Sequence, residues 1–248
     1  MGHPAISKPS PGRLLLAWSV HLFTASGAVL AALALLSIGS GNFSRAALLM
    51  LLALAIDSVD GSLARAARVS EVVPRIDGRR LDDIVDYLNY AVVPVVFMAG
   101  AGLILAWGWL VLPILASAYG FSQNNAKTED DFFLGWPSYW NVVALYLWLL
   151  EISPAAGTAW VVTFSIAIFI PLKYVYPSRI KPPRLRSIAT VGGLIWSLVL
   201  AAAILFPDLD RRLWLTEISL LYPAYYVGLS IWLGDWKRGW HKAEHLGR

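Results

Sequence analysis

Cysteine is absent from the 248 residues, which excludes a disulfide framework and thiolate chemistry, whether nucleophilic or metal-binding. Charge is sparse. Asp, Glu, Lys and Arg make up 15% of the chain, against 58% hydrophobic residues. Together with a mean hydropathy of +0.61, that excludes a soluble globular domain. The net charge of +4 is small and spread along the chain, so no basic patch points to nucleic acid as a partner. No internal repeat and no low-complexity segment is present. Of the 4 histidines, His3, His241 and His245 lie near the ends and carry no signal.

What the chain does have is long apolar runs. A membrane-crossing helix needs about 20 mostly apolar residues. The runs predict an all-α integral membrane protein, a polytopic bundle of about eight transmembrane helices. They lie at about 13–38, 44–66, 81–105, 109–124, 138–151, 156–175, 186–206 and 213–233. The first run is long enough to cross and lacks a small-residue cleavage site, so it reads as a helix rather than a signal peptide. Many of the 12 Trp and 10 Tyr sit near the ends of runs, as interfacial belts require. One membrane domain, residues 1–248, is expected, with short polar ends at 1–12 and 234–248.

Lysine and arginine placement sets the orientation. With both termini in the cytoplasm, 17 of the 20 basic residues fall inside, and only Arg45, Arg211 and Arg212 fall outside. This puts the end of the second helix and the start of the third at the cytoplasmic face.

That junction, residues 55–90, carries Asp57, Asp60, Asp82, Asp83 and Asp86, with five arginines between. At about 100° per residue, Asp57, Asp60, Gly61, Ala64 and Arg65 share one helix face. Gly78, Asp82 and Asp86, spaced by four, form a second stripe. A short basic loop joins the two helices, so they are expected to be antiparallel neighbours with the stripes facing. Each buried carboxylate costs about 2.5–3.5 kcal/mol at a helix centre, less near the interface. Converging acids also repel, so a cationic partner is required. All-oxygen ligands suit two hard divalent cations, Mg²⁺ or Mn²⁺, and paired metals recur in phosphoryl chemistry. Small Gly61 and Ala64 leave room for a ligand, and Arg65 can pair with a phosphate. The plainer alternative is that acids pair with nearby arginines or cap helices. It suits Asp77 and Asp83, but not Asp57 and Asp60, two acids on one face of an apolar helix.

The pattern Asp57-x-x-Asp60-Gly61-x-x-Ala64-Arg65 … Gly78-x-x-x-Asp82-x-x-x-Asp86 resembles the signature of the CDP-alcohol phosphotransferases. The family's usual gap between the arginine and the second glycine is shorter than the twelve residues Ala66 to Asp77. This longer gap resembles the bacterial phosphatidylcholine synthase branch, which also has more helices. The stretches AWSVHLFTASGA, KTEDDFFLGWPSYWN and PLKYVYPSR look like the same branch, so the resemblance covers most of residues 17 to 180. It implies that Asp57, Asp60, Asp82 and Asp86 serve two divalent metals, with Asp86 also the catalytic base. It further implies transfer of a phosphatidyl group from CDP-diacylglycerol to choline at the cytoplasmic face of a bacterial inner membrane, with CMP leaving. Gly61, Ala64, Arg65 and Gly78 would meet the CDP-diacylglycerol, and Ser70 is the local hydroxyl candidate for it. A homodimer among membrane lipids is expected by the same resemblance.

The motif alone leaves the acceptor open among choline, serine, glycerol phosphate and inositol phosphate. Choline would be held by aromatic faces and negative charge. Tyr87, Tyr90, Trp136, Tyr139 and Trp140, with Glu129, Asp130 and Asp131, are candidates, although interfacial aromatics are common. A phosphorylated acceptor would need a basic pocket, for which Lys173, Arg179 and Lys181 are candidates; they equally suit a donor phosphate or lipid headgroups. His21 and Thr24, at a depth similar to the aspartates, are secondary candidates. Intramembrane acids also mark transporters, but those commonly show repeats and matched broken helices, and here the acids cluster at one face.

Overall fold

The computed structural model describes residues 9–123 and 126–234. Its first helix, α1 (Pro11–Gly39), starts where Ser10 accepts a bond from Arg13 N and Pro11 supplies a preset φ. Asn42 caps α2 (Phe43–Ala66) in the same way, through Arg45 N at 3.0 Å. The two helices form a hairpin packed through small residues, with Ala31, Ala34, Ala46 and Ala47 all buried. Small side chains let backbones approach where lipid offers no hydrophobic drive to association.

A single turn, α3 (Val69–Val72), leads to α4 (Gly78–Gly100). Asp77 caps α4 by accepting from Arg79 N and Arg80 N at 3.1 and 3.2 Å, the role expected of it. Within α4 the turn widens to a π-helix at Tyr87–Val92, with Val93 N–H bonded five residues back to Leu88 O. Pro94 follows; its ring would collide with the carbonyl four residues back in a tighter turn. The rest comprises α5 (Trp107–Ser122), β1 (Phe132–Leu134), α6 (Trp140–Leu149), α7 (Pro154–Ala167), β2 (Lys173–Val175) and α8 (Pro183–Leu205). Three further helices close the described chain: α9 (Pro207–Leu213), α10 (Leu215–Ser219) and α11 (Leu221–Leu233).

The chain is therefore a helical membrane protein. Among the described residues α1, α2, α4 and α8 are long and apolar enough to cross a bilayer, and α5, α6 and α7 are shorter apolar helices. The buried centre is apolar and aromatic: Trp140, Phe97, Met50, Met98 and Leu145 are all at most 2% exposed.

Three expectations need correction. The sixth helix, expected to reach residue 175, ends at Ala167, and 173–175 is a strand. Pro171 cannot continue a helix, and Gly135 N and Trp136 N bond to Leu172 O and Ala167 O instead. The fold thus includes one antiparallel ribbon, β1 on β2, with Phe133 opposite Tyr174. Third, the last helix, expected at 213–233, is broken: Trp214 has φ 55°, and Asp210 caps the new start through Thr216 N at 2.8 Å. Lys8 and the tail residues Lys237, Arg238, Lys242 and Arg248, with His3, His241 and His245, lie outside the described residues.

Candidate active site

α1, α2 and α4 pack against one another, and the two acidic stripes meet as the spacing predicts. Carboxylate oxygens of Asp57, Asp82 and Asp86 lie within 4.8 Å of one another. At an effective dielectric of about 20, two unit charges at that distance repel by about 3–4 kcal/mol. Asp60, 5% exposed, stands beside them and accepts a 2.8 Å bond from Thr24 of α1. The buried Tyr90 hydroxyl donates to Asp57 at 2.5 Å. Asn89 ties α4 to α1, its amide donating to Gly27 O and to Val85 O at 3.0 Å each. Asp57, Asp60, Asp86, Thr24, Asn89 and Tyr90 all line one cleft of about 10 Å³, room for a water-sized occupant.

Among the described residues, the one basic side chain paired with this cluster comes from the segment before β1. Lys127 Nζ lies 3.8 Å from Asp82 and 3.6 Å from Asp83. Burial opposes its charge, but Tyr176 and the carboxylates of Asp82, Asp83 and Asp86 outweigh that and raise its pKa, so it stays an ammonium. One ammonium against four clustered carboxylates leaves negative charge to be offset. The donor set is all carboxylate oxygen, which fits hard divalent cations.

The neighbouring residues divide. Tyr139 packs on Tyr90, ring centroids 5.8 Å apart, and on Tyr226 at 5.7 Å. Tyr87 turns elsewhere, donating to Ile114 O at 3.2 Å and packing on Phe121. Trp140, fully buried, donates to Ser117 at 2.8 Å and packs on Trp136 as part of the core. Asp130 pairs with Lys173 at 2.5 Å and Asp131 with Arg179 at 3.2 Å, so these four close the ribbon on itself. Glu129 and Ser70 are exposed. Gly78 leaves room for His21: a Cβ there would meet the imidazole at 3.3 Å. His21 is 7% exposed, and its Nε2 is a buried atom with no hydrogen-bond partner. Ala64 packs against the Val69–Val72 turn, and Arg65 bonds Ser62 at 3.0 Å rather than any of the acids.

Sequence reasoning passed over Lys127, Asn89, Tyr176 and Tyr226 as site residues. Lys127 was visible as the lone base heading an acidic run. The tyrosines carry no signal in the sequence, because their approach depends on how the ribbon and α11 fold back.

Eight positions on two touching helices match the pattern that resembles the CDP-alcohol phosphotransferases, and their carboxylates converge. The family model of that description, CDP-alcohol phosphatidyltransferase, matches residues 18–205, and the chain belongs to this family. It is 38% identical over 225 residues to phosphatidylcholine synthase of Legionella pneumophila, covering 87% of this chain and 88% of that one. Identity to the protein of the same name from Borreliella burgdorferi is 37%, over 89% and 95% of the two chains. For Pseudomonas aeruginosa it is 33%, over 87% and 91%.

Proposed function

We propose that this chain transfers the phosphatidyl group of CDP-diacylglycerol to choline, giving phosphatidylcholine and CMP. The observation that carries the proposal is the meeting of Asp57, Asp82 and Asp86 within 4.8 Å, in a chain whose relatives bear that activity in their names. Asp57, Asp60, Asp82 and Asp86 would hold two divalent cations, Mn²⁺ or Mg²⁺. Bound there, the cations supply positive charge against the donor diphosphate. Asp86 accepts the proton of the choline hydroxyl. The choline oxygen bonds to the β-phosphorus, the bond from that phosphorus to CMP breaks, and CMP carries the electron pair away. Gly61, Ala64, Arg65 and Gly78 border the donor's path, with Ser70 and His21 beside it.

The quaternary ammonium of choline needs aromatic faces and negative charge, since its nitrogen has no proton to donate. Tyr90 and Tyr139, backed by Tyr226, stand beside Asp57 and supply both. Lys173 and Arg179 are committed to Asp130 and Asp131, which weighs against a phosphorylated acceptor there. We read the remaining apolar helices as further crossings, about eight in all. The basic bias supports a cytoplasmic position for both termini and for the acids, in a bacterial inner membrane. We read the described residues as one catalytic domain that pairs as a homodimer.

The test is an acceptor screen with the purified chain in detergent. CMP release from CDP-diacylglycerol should require choline together with Mn²⁺ or Mg²⁺. Release with serine or glycerol phosphate but not with choline would overturn the choline assignment while leaving the family chemistry in place.

A further inference from the structure

Lys127 and Asp83 take no part in the transfer described above, yet both stand at the edge of the acid cluster. Lys127 Nζ lies 3.8 Å from Asp82 and 3.6 Å from Asp83. Asp82 belongs with Asp57 and Asp86 in the converging group. Asp83, one residue on and about 100° further round α4, lies outside that group. The ammonium therefore straddles one acid of the cluster and one at its rim. Both separations are longer than a hydrogen bond, so charge alone holds it there. The side chains of Lys127, Asp82 and Asp83 are 26%, 27% and 37% exposed, so solvent screens the attraction only in part.

The backbone that delivers Lys127 is fixed. Thr128 N bonds to Phe132 O at 2.8 Å and Leu134 N to Ala126 O at 3.0 Å, and Lys127 bridges to Phe133 across the turn. The Thr128 hydroxyl accepts from Phe132 N at 3.0 Å and donates to Asp130 at 2.7 Å. The Asp130–Lys173 and Asp131–Arg179 pairs pin the same turn to β2 and the segment after it. Movement is left to the four-carbon stem of Lys127, which is flexible. A small swing of that stem decides whether the ammonium favours Asp82 or Asp83.

A divalent cation on Asp82 would sit about 2 Å from a carboxylate oxygen, facing the ammonium at short range with like charge. We propose that Lys127 is a tethered counter-cation that competes with the divalent cations for Asp82, and that Asp83 takes the ammonium when a cation binds. This role rests on the reading of Asp82 as a metal ligand. Lys127 relieves the repulsion among the acids before a cation arrives, and Asp83 keeps that relief from blocking the metal. The acids are thereby held together at low metal concentration, and the cluster does not grip its cations permanently. The role does not depend on which alcohol the enzyme accepts.

Mn²⁺ binding to the full chain in detergent tests this, read from the electron paramagnetic resonance signal of free Mn²⁺ with no lipid substrate or choline added. Lys127→Gln should bind Mn²⁺ at least about tenfold more tightly than wild type, since a like charge is removed. Lys127→Arg keeps the charge and should not bind more tightly. Asp83→Asn should bind about tenfold more weakly, because the ammonium then rests on Asp82 alone. Added to Lys127→Gln, the same Asp83→Asn change should cost less than about threefold, since the two residues act as a pair. Unchanged or weaker binding by Lys127→Gln, tighter binding by Lys127→Arg, or an equal loss from Asp83→Asn in both backgrounds would each overturn the proposal while leaving the metal reading in place. Absence of Mn²⁺ binding to wild type and Lys127→Gln alike would overturn both. If Lys127→Gln does not fold, Asp83→Asn decides alone, and an unchanged affinity there refutes the role given to Lys127.

Discussion

Thr24 offers a sharp test of the metal assignment, because it touches Asp60 without belonging to the acid set. Its hydroxyl donates to a carboxylate that is 5% exposed, across 2.8 Å, from a different helix. Thr24→Val keeps the branched shape and removes the donor. A hydrogen bond to a charged group contributes about 1.5–3 kcal/mol. At about 1.4 kcal/mol per factor of ten, that is a change of about 10- to 100-fold in an equilibrium constant. The same range, about 10–100-fold in metal affinity, is typical when a partner that orients a metal ligand is lost. CMP release should be titrated with Mn²⁺ for both proteins at saturating lipid and choline. The half-saturating Mn²⁺ concentration should rise about 10- to 100-fold in Thr24→Val, while the rate at saturating Mn²⁺ stays near wild type. Thermal unfolding without metal checks that the variant is folded. Tyr90→Phe removes the hydroxyl 2.5 Å from Asp57 and should move the titration in the same direction. An unchanged half-saturation in a folded Thr24→Val would refute the reasoning: Asp60 would then not share in binding the cations.

Asp86→Asn should lose at least about 100-fold of the CMP-release rate, the range expected for a general base, with an unchanged unfolding midpoint. Full activity would remove Asp86 from that role. Gly135 has φ 81°, and a Cβ there would fall inside contact distance of the Ile168 carbonyl. Gly135→Ala should therefore destabilise by at least about 1–3 kcal/mol, read as a lowered unfolding midpoint. Burial pushes the Asp130 carboxyl up, yet hydrogen bonds from Lys173 and Thr128 outweigh it and hold the pKa below the usual value. A depressed folded pKa means the contribution is present above the unfolded value of about 3.9 and fades as pH falls through the folded one. Asp130→Asn should thus flatten the acid end of the stability curve below about pH 4. Both partners are partly exposed, so the effect should stay under about 1 kcal/mol.

Much of this was legible in the one-dimensional pattern, for identifiable reasons. Hydropathy is a local property, so the four long helices were placed to within a few residues. A helix repeats every 3.6 residues, so Asp57 and Asp60 had to share a face, as did Asp82 and Asp86. Asp77 as a cap followed from local chemistry as well. The limits also have local causes: Pro171 and Trp214 broke helices that hydropathy alone joined, because apolar content says nothing about backbone continuity.

The sequence by itself determined the membrane setting, the two acidic stripes and the family to which they belong. These depend only on residue type and spacing along one helix. Tertiary structure alone decided which groups from distant segments meet them. Lys127 reaches Asp82 and Asp83 because β1 folds back on β2, and Tyr139, just ahead of α6, packs on Tyr90 with Tyr226 of α11 edge-on behind it. Such contacts are set by packing between elements far apart in the chain, and no periodicity within one element encodes them.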